Sequence, residues 1–351
     1  MLPANIPRHF TGKPAWVAKD LRDDENAWLR ILSQAEISEL EAAAENFLTQ
    51  HGDIGLISRE TFELPSLHLH LQFLQKKLLH GIGVEVLRGL RVNHYPTEMA
   101  ACIFCGIGAH LGSARSQNAN GHILGHVRDT GASSDNPDVR VYQTAERQSF
   151  HTDSADVVAL LCLKRARTGG ESLLVSALSI YNRFRQQRPD LLPLLFEPIA
   201  TDRRGEVPAG EQPFMTIPPL SWYDGKLTVF YQRQYIDSAQ RFEDAPALTP
   251  RHIEALDLFD SLANNPELHF SMQLEPGDMQ FVYNHSQLHD RTAFEDWEEA
   301  GEKRHLLRLW LSIHGDRKLP ACFRQRYGSI EIGDRGGIVT SNARLSAPLF
   351  F

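Results

Sequence analysis

The tripeptide His151-Thr152-Asp153, taken with the distant His289, constrains this chain more than any other feature. In an extended strand successive side chains alternate faces, so the imidazole and the carboxylate point one way and Thr152 the other. A second imidazole from a distant strand, laid beside the first, completes a facial set of two histidines and one carboxylate. Such a set leaves coordination positions open and suits non-haem Fe(II) used for O2 chemistry. Thiolates in those places would instead favour zinc or a cluster.

An arbitrary His-x-Asp is more often a hydrogen-bonded surface pair, so the surrounding sequence has to decide. His51-Gly52-Asp53 is such a decoy, set at a helix end with nothing matching downstream. His68 and His70 fall in a helical pattern, where positions two apart share no face. His151-Thr152-Asp153 is followed by Gly169-Gly170-Glu171-Ser172, then Leu288-His289-Asp290-Arg291, then Arg304-His305-Leu306-Leu307-Arg308-Leu309-Trp310-Leu311. In that last run Arg304 and Arg308 are four apart on one strand and share a face with Leu306 and Trp310. Leu307, Leu309 and Leu311 take the other face. Two arginines on an otherwise apolar strand are costly to bury without anionic partners.

This ordered set resembles the taurine dioxygenase and clavaminate synthase-like group of Fe(II)/2-oxoglutarate oxygenases, from about Arg140 to about Gly315. The resemblance implies a double-stranded β-helix, a jelly roll with the site at its mouth. It implies that His151, Asp153 and His289 bind Fe(II) and serve as the catalytic centre. Arg304, with the Ser172 hydroxyl after Gly-Gly-Glu, would hold the tail carboxylate of the cosubstrate 2-oxoglutarate; taurine dioxygenase has Thr where this chain has Ser172. Arg308 would meet an anionic group on the substrate, and His126, Asn118 and Gln148 fall where substrate contacts often lie. His285 competes as third metal ligand, but Leu288-His289-x-Arg291 is the matching pattern. Arg291 reads equally as a substrate contact or as an ion-pair partner of Asp290, Glu295 or Asp296.

Periodicity by itself gives a mainly β body with flanking helices. Ser33 and Glu36 form a capping box ahead of an apolar stripe that ends near Gly52. A second helix is expected from Ser66 to His80, a third from Ser176 to about Gln187, and a fourth from Thr249-Pro250 to about Asn264. Gly106 to Asp138, rich in Gly, Ser, Asn and Asp, reads as loops and short strands. Strands are expected within Val141–Leu163, over Ser172–Ser176, 268–274, Met279–Tyr283 and 303–313, with a hairpin turning at Asp224-Gly225. The expectation is one domain over 1–351, made of a helical entry region to residue 100, a core from 140 to 315 carrying the site, and a tail from 316.

Composition narrows the partners. Net charge is −8 with no basic block, which speaks against nucleic acid or an anionic membrane. No apolar run is long enough to span a bilayer, and the N-terminus lacks a signal-peptide core. Four cysteines in 351 residues are not a disulfide framework, and Cys102-x-x-Cys105 has no second pair, so buried reduced thiols and a cytoplasmic location are expected. A homo-oligomer is compatible with the sequence. The expected activity is oxidation, by default hydroxylation, of a small molecule with Fe(II), 2-oxoglutarate and O2, releasing succinate and CO2. The alternatives are a non-catalytic jelly-roll binding protein and a zinc hydrolase using the same His2Asp set. Neither accounts for the paired arginines beside Ser172.

Overall fold

In the computed structural model, residues 1–132, 140–208, 210–338 and 345–349 are described. Two β-sheets face each other, and helices cover both outer faces. The strands of these sheets are β1 (Leu29–Ile31), β2 (Val84–Arg88), β3 (Ser113–Arg115), β4 (Leu124–Val127), β5 (Gln148–His151), β6 (Val157–Lys164), β7 (Ser172–Ser176), β8 (Phe270–Met272), β9 (Met279–Tyr283), β10 (Gln287–Arg291) and β11 (His305–Ser312). The larger sheet runs β1-β2-β9-β6-β11-β3, with β4 also paired to β11, and the smaller runs β8-β7-β10-β5. All these pairings are antiparallel except β1 with β2. This is the expected jelly-roll arrangement.

The period-two alternation of the strands builds the layers. Val84 and Val86 of β2, Val282 of β9 and Leu306 of β11 meet Leu174, Phe270 and Met272 of the smaller sheet between the two sheets. On the opposite face of the large sheet, Leu307, Leu309 and Leu311 join Phe281 and Leu161 under three helices: α1 (Gln34–Gln50), α2 (His68–His80) and α3 (Thr97–Leu111). Leu173, Val175 and Leu288 of the small sheet pack outward against α4 (Ala177–Gln187) and α5 (Pro250–Ala263). Ser33, Ser176 and Thr249 cap α1, α4 and α5, each accepting a backbone N–H of the first turn. The Asp224-Gly225 hairpin joins Leu220–Tyr223 to Lys226–Val229.

Two expectations need correction. Residues 106–111 are not loop: they end α3, which is buried almost throughout. The helix escapes a periodicity reading because it is apolar on every side, and a core helix has no polar face to reveal its pitch. Its glycines serve close packing, since a Cβ on Gly106 would sit 2.4 Å from the Phe62 ring and one on Gly108 2.8 Å from Leu309. The remainder of that stretch does carry short strands, β3 and β4, while residues 133–138 lie outside the described set. The strands expected within Val141–Leu163 are present, but the strand read through His151-Thr152-Asp153 stops short of Asp153. β5 ends at His151 in the small sheet and β6 begins at Val157 in the large one, so residues 152–156 cross between the sheets.

That crossing fixes the place of the site. His289 of β10 lies directly opposite His151 of β5, so both imidazoles leave one face of the small sheet. Asp153 stands just beyond, in the crossing segment.

Candidate metal centre and cosubstrate pocket

His151, Asp153 and His289 offer donor atoms that all lie within 4.8 Å of one another. The rings of His151 and His289 have centroids 4.1 Å apart, and Asp153 Oδ2 is 3.7 Å from His289 Nε2. His151 Nδ1 hydrogen-bonds to the Ser149 carbonyl at 2.8 Å, so Nδ1 carries the proton and the Nε2 lone pair faces the centre. Burial, reinforced by the neighbouring His289, pushes the His151 imidazole down to about 3, so it is neutral at ordinary pH. Burial works against charge on Asp153 too. Arg308 and the two imidazoles nevertheless hold its carboxyl well below the usual range. A neutral His151 imidazole beside an ionised carboxylate matches the protonation states that a metal requires of its ligands.

Asp153 does not reach this position as part of a strand. Thr152 turns aside, its N–H donating to the Tyr231 carbonyl at 2.8 Å. The side chain of Asn284 then grips the segment: Oδ1 accepts the Asp153 N–H at 2.9 Å, and Nδ2 donates to the carbonyls of Asp153 and Ala155. The Trp310 indole donates to Asp153 Oδ2 at 2.8 Å, and Arg308 Nη1 approaches the same oxygen at 3.5 Å. Such partners orient a ligating carboxylate and tune its basicity. Asn284 and Trp310 were not read as site residues in the sequence. Trp310 could have been, because it shares the inward face of β11 with Arg308.

His285, the competing histidine, is fully buried elsewhere. Its Nε2 bonds Asp156 at 2.7 Å, and Asp156 and Asp316 also bind the buried Arg335 at 2.7 and 2.8 Å. This second acidic–histidine group is therefore an ion network around Arg335 that ties the tail to the crossing segment.

Next to the two histidines, between the sheets, lies a cavity that Ser172, Arg304, Arg291 and both imidazoles line. Arg304 is 6 % exposed and stacks on Phe294 with its guanidinium carbon 5.0 Å from the ring centroid. Its Nη1 has no hydrogen-bond partner, and among the described residues it makes no ion pair. Burial pushes its pKa down to about 10, which marks a cation held without compensation. A small offset in the pairing of β11 with β6 between His305 and Leu306 leaves Arg304 and Arg308 on the same side. The Gly169-Gly170 turn, with φ of +73° and +76°, makes the approach to Arg304, because a Cβ on Gly170 would stand 2.9 Å from Arg304 Nε. Ser172 Oγ is bonded to the Gln280 amide at 3.0–3.1 Å, a partner with no sequence signal.

Arg291 forms none of the three ion pairs read for it, with Asp290, Glu295 or Asp296. Asp290 pairs with Arg147 instead, while Arg291 donates to the carbonyls of Thr144 and Glu146 and stacks on Phe294. Burial, then the nearby Arg304, pushes Arg291 down to about 9.

Of the three weaker substrate-contact candidates, Gln148 alone faces the centre, its amide 2.9 Å from His151 Nε2. The ring of His126 is held by His305 and the Pro348 carbonyl, both at 2.8 Å, on the helix-covered side of β11, so it is not brought to the cleft. Asn118 closes its own turn by accepting the N–H groups of Asn120 and His122. Its neighbour Gln117 is the residue that reaches in, accepting from Arg308 Nε at 2.7 Å and donating to the Arg308 carbonyl.

Comparison with known proteins agrees with this geometry. Residues 48–310 match the model of the taurine catabolism dioxygenase TauD, TfdA family. FR-33289 synthase of Streptomyces rubellomurinus is 34 % identical over 90 % of this chain and 94 % of its own length. The taurine hydroxylase-like protein SAT17 of Stachybotrys chartarum is 32 % identical over 87 % and 82 %. An asparagine oxygenase solved with Fe(II), 3-hydroxyasparagine and succinate superposes with a TM-score of 0.63 at 19 % identity, covering 81 % of this chain and 93 % of that one, a likeness of fold. The chain belongs to the TauD, TfdA family of Fe(II)/2-oxoglutarate-dependent oxygenases.

Proposed function

We propose that His151, Asp153 and His289 hold the Fe(II) of this oxygenase, that Arg304 and Ser172 hold the tail carboxylate of 2-oxoglutarate, and that a small-molecule substrate binds beside Arg308. The observation that carries the assignment is the pairing of β5 with β10, which sets the His151 and His289 imidazoles beside the Asp153 carboxylate with donor atoms within 4.8 Å of one another. The buried Arg304 next to them, lacking an anionic partner, supports the second part.

Bound Fe(II) and 2-oxoglutarate supply the oxidising chemistry, turning O2 and the cosubstrate into succinate and CO2 as the substrate is hydroxylated. The protein supplies position and exclusion of water. Asn284 and Trp310 orient Asp153. Arg304 can grip a carboxylate through two N–H groups in one plane, as a lysine could not. Arg308, stacked on Tyr142 and Trp310 with its guanidinium carbon 4.6 and 4.9 Å from their centroids, presents a cation to the substrate side of the centre.

The small-molecule assignment is supported further by the acidic balance of the chain, which suits neither nucleic acid nor an anionic membrane. Among the described residues no helix is long and apolar enough to cross a membrane. Four free cysteines support a reducing, cytoplasmic setting.

Succinate release tests the metal assignment. His151→Ala and Asp153→Ala should each reduce 2-oxoglutarate turnover to background while the fold is kept. Turnover persisting in either variant would sink it.

A further inference from the structure

The walls of the cleft on the substrate side of Asp153 and Trp310 carry an excess of cations. Three guanidiniums line it, each from a different segment: Arg140 ahead of the turn at Val141–Gln143, Arg308 on β11, and Arg326 on the short helix Arg324–Tyr327. Their side chains are only 15 %, 6 % and 13 % exposed. Arg140 and Arg326 converge on one acid, Glu206, which forms an ion pair with Arg140 and lies 3.9 Å from Arg326. Arg326 also donates to the Ser154 hydroxyl, one residue from the metal ligand Asp153. Gln232 and Tyr235 complete the polar wall.

Among the described residues of the cleft the charges do not balance without a ligand. Arg308 leans on Asp153, but that carboxylate is committed to the metal. Glu206 is then the one acid left against three guanidiniums among the described residues of the cleft. Two positive charges remain in a place where unpaired charge is costly. A monoanion would leave one of them uncompensated, whereas a dianion neutralises both. Guanidiniums arriving from three segments also suit three acceptor oxygens on a tetrahedral centre better than one planar carboxylate, which a single fork can satisfy.

We propose that Arg140 and Arg326, together with Arg308 on the same cleft, seat a dianionic PO3 group on the substrate, so that the enzyme acts on a phosphorylated or phosphonate-bearing small molecule. This rests on the cleft being the substrate site of the Fe(II)/2-oxoglutarate centre. Glu206 holds the two guanidiniums together from behind, and the PO3 group meets them from the cleft. The reacting carbon then lies between that seat and the metal ligands.

The test is calorimetric titration of the anaerobic protein loaded with Fe(II) and 2-oxoglutarate, using propylphosphonate, propyl phosphate, propanesulfonate and butyrate as probes. The two PO3 probes should bind the wild-type protein at least tenfold more tightly than the two monoanions. The stronger of the two identifies the linkage. Arg140→Gln and Arg326→Gln should each weaken the PO3 probes at least tenfold. If loss of the buried Arg326 prevents folding, Arg140→Gln carries the test alone, because its backbone lies in a loop. Equal binding of all four probes, no binding of the PO3 probes, or unchanged affinity in Arg140→Gln overturns the proposal. Failure of the wider reading is separate: it appears as no visible chelate band when 2-oxoglutarate joins the Fe(II)-loaded wild type. A band without PO3 binding removes only the seat.

Discussion

A guanidinium held between two sheets without a counter-charge is costly, and Arg304 is in that position. Its favourable state needs an anion, so Arg304→Ala should weaken 2-oxoglutarate by about 1.5–3 kcal/mol, roughly 10- to 100-fold, with Fe(II) binding kept. Measured affinities for the cosubstrate and for the metal check this, and equal losses in both would contradict the division of roles. Trp310→Phe removes one hydrogen bond to Asp153 and should lower metal affinity roughly 10- to 100-fold. His305 gives a pH prediction away from the centre. Burial, with His126 close by, pushes its imidazole down to about 4 in the folded chain. The unfolded chain therefore binds more protons as pH falls from the ordinary histidine value toward 4, and stability is lost over that window by no more than about 3 kcal/mol. Urea unfolding at pH 7 and pH 5 checks it; His305→Gln should lose less on acidification than wild type, and an identical loss would rule the group out. At this scale the convergence of His151, Asp153 and His289 beside Arg304 was legible because residue type and spacing carry it. Asn284, Gln280 and Gln117 were not, since one amide among many has no spacing to mark it.

Elements place these groups through register. The metal pair exists because His151 and His289 face each other across β5 and β10, and a one-residue slip would send one imidazole into the outer core with Phe150 or Leu288. The Gly169-Gly170 turn is equally exacting. Gly169→Ala puts a Cβ 2.2 Å from the Ala293 carbonyl at φ +73°, and should cost at least about 1–3 kcal/mol of stability in a thermal or urea unfolding series. Gly170→Ala should in addition weaken 2-oxoglutarate by pressing on Arg304. Helices with a polar face, such as α1, α4 and α5, were legible through their caps and stripes. α3 was not, because burial on all sides removes the alternation that reveals a helix.

At the scale of the molecule, the tail is built into the site's support. Arg335 is fully buried between Asp156 and Asp316, and Gly337 N–H donates to the Ser154 carbonyl at 2.7 Å, beside Asp153, the proposed metal ligand. Arg335→Ala leaves two buried carboxylates without their cation and should destabilise the protein by about 3–5 kcal/mol in urea unfolding. This role of the tail is not legible in the sequence, because the acidic partners of Arg335 lie 179 and 19 residues away in the chain. Its apolar end, Leu349-Phe350-Phe351, is only partly accounted for: Leu349 packs against the helix-covered core, and Phe350 and Phe351 lie outside the described residues. The central claim is that His151, Asp153 and His289 hold Fe(II) in a form that chelates 2-oxoglutarate. Anaerobic titration of the metal-free protein with Fe(II) and then 2-oxoglutarate tests it most directly. The account predicts a weak visible metal-to-ligand charge-transfer band that is lost in His151→Ala. Bound iron that gives no such band, or a band that survives in His151→Ala, would contradict it.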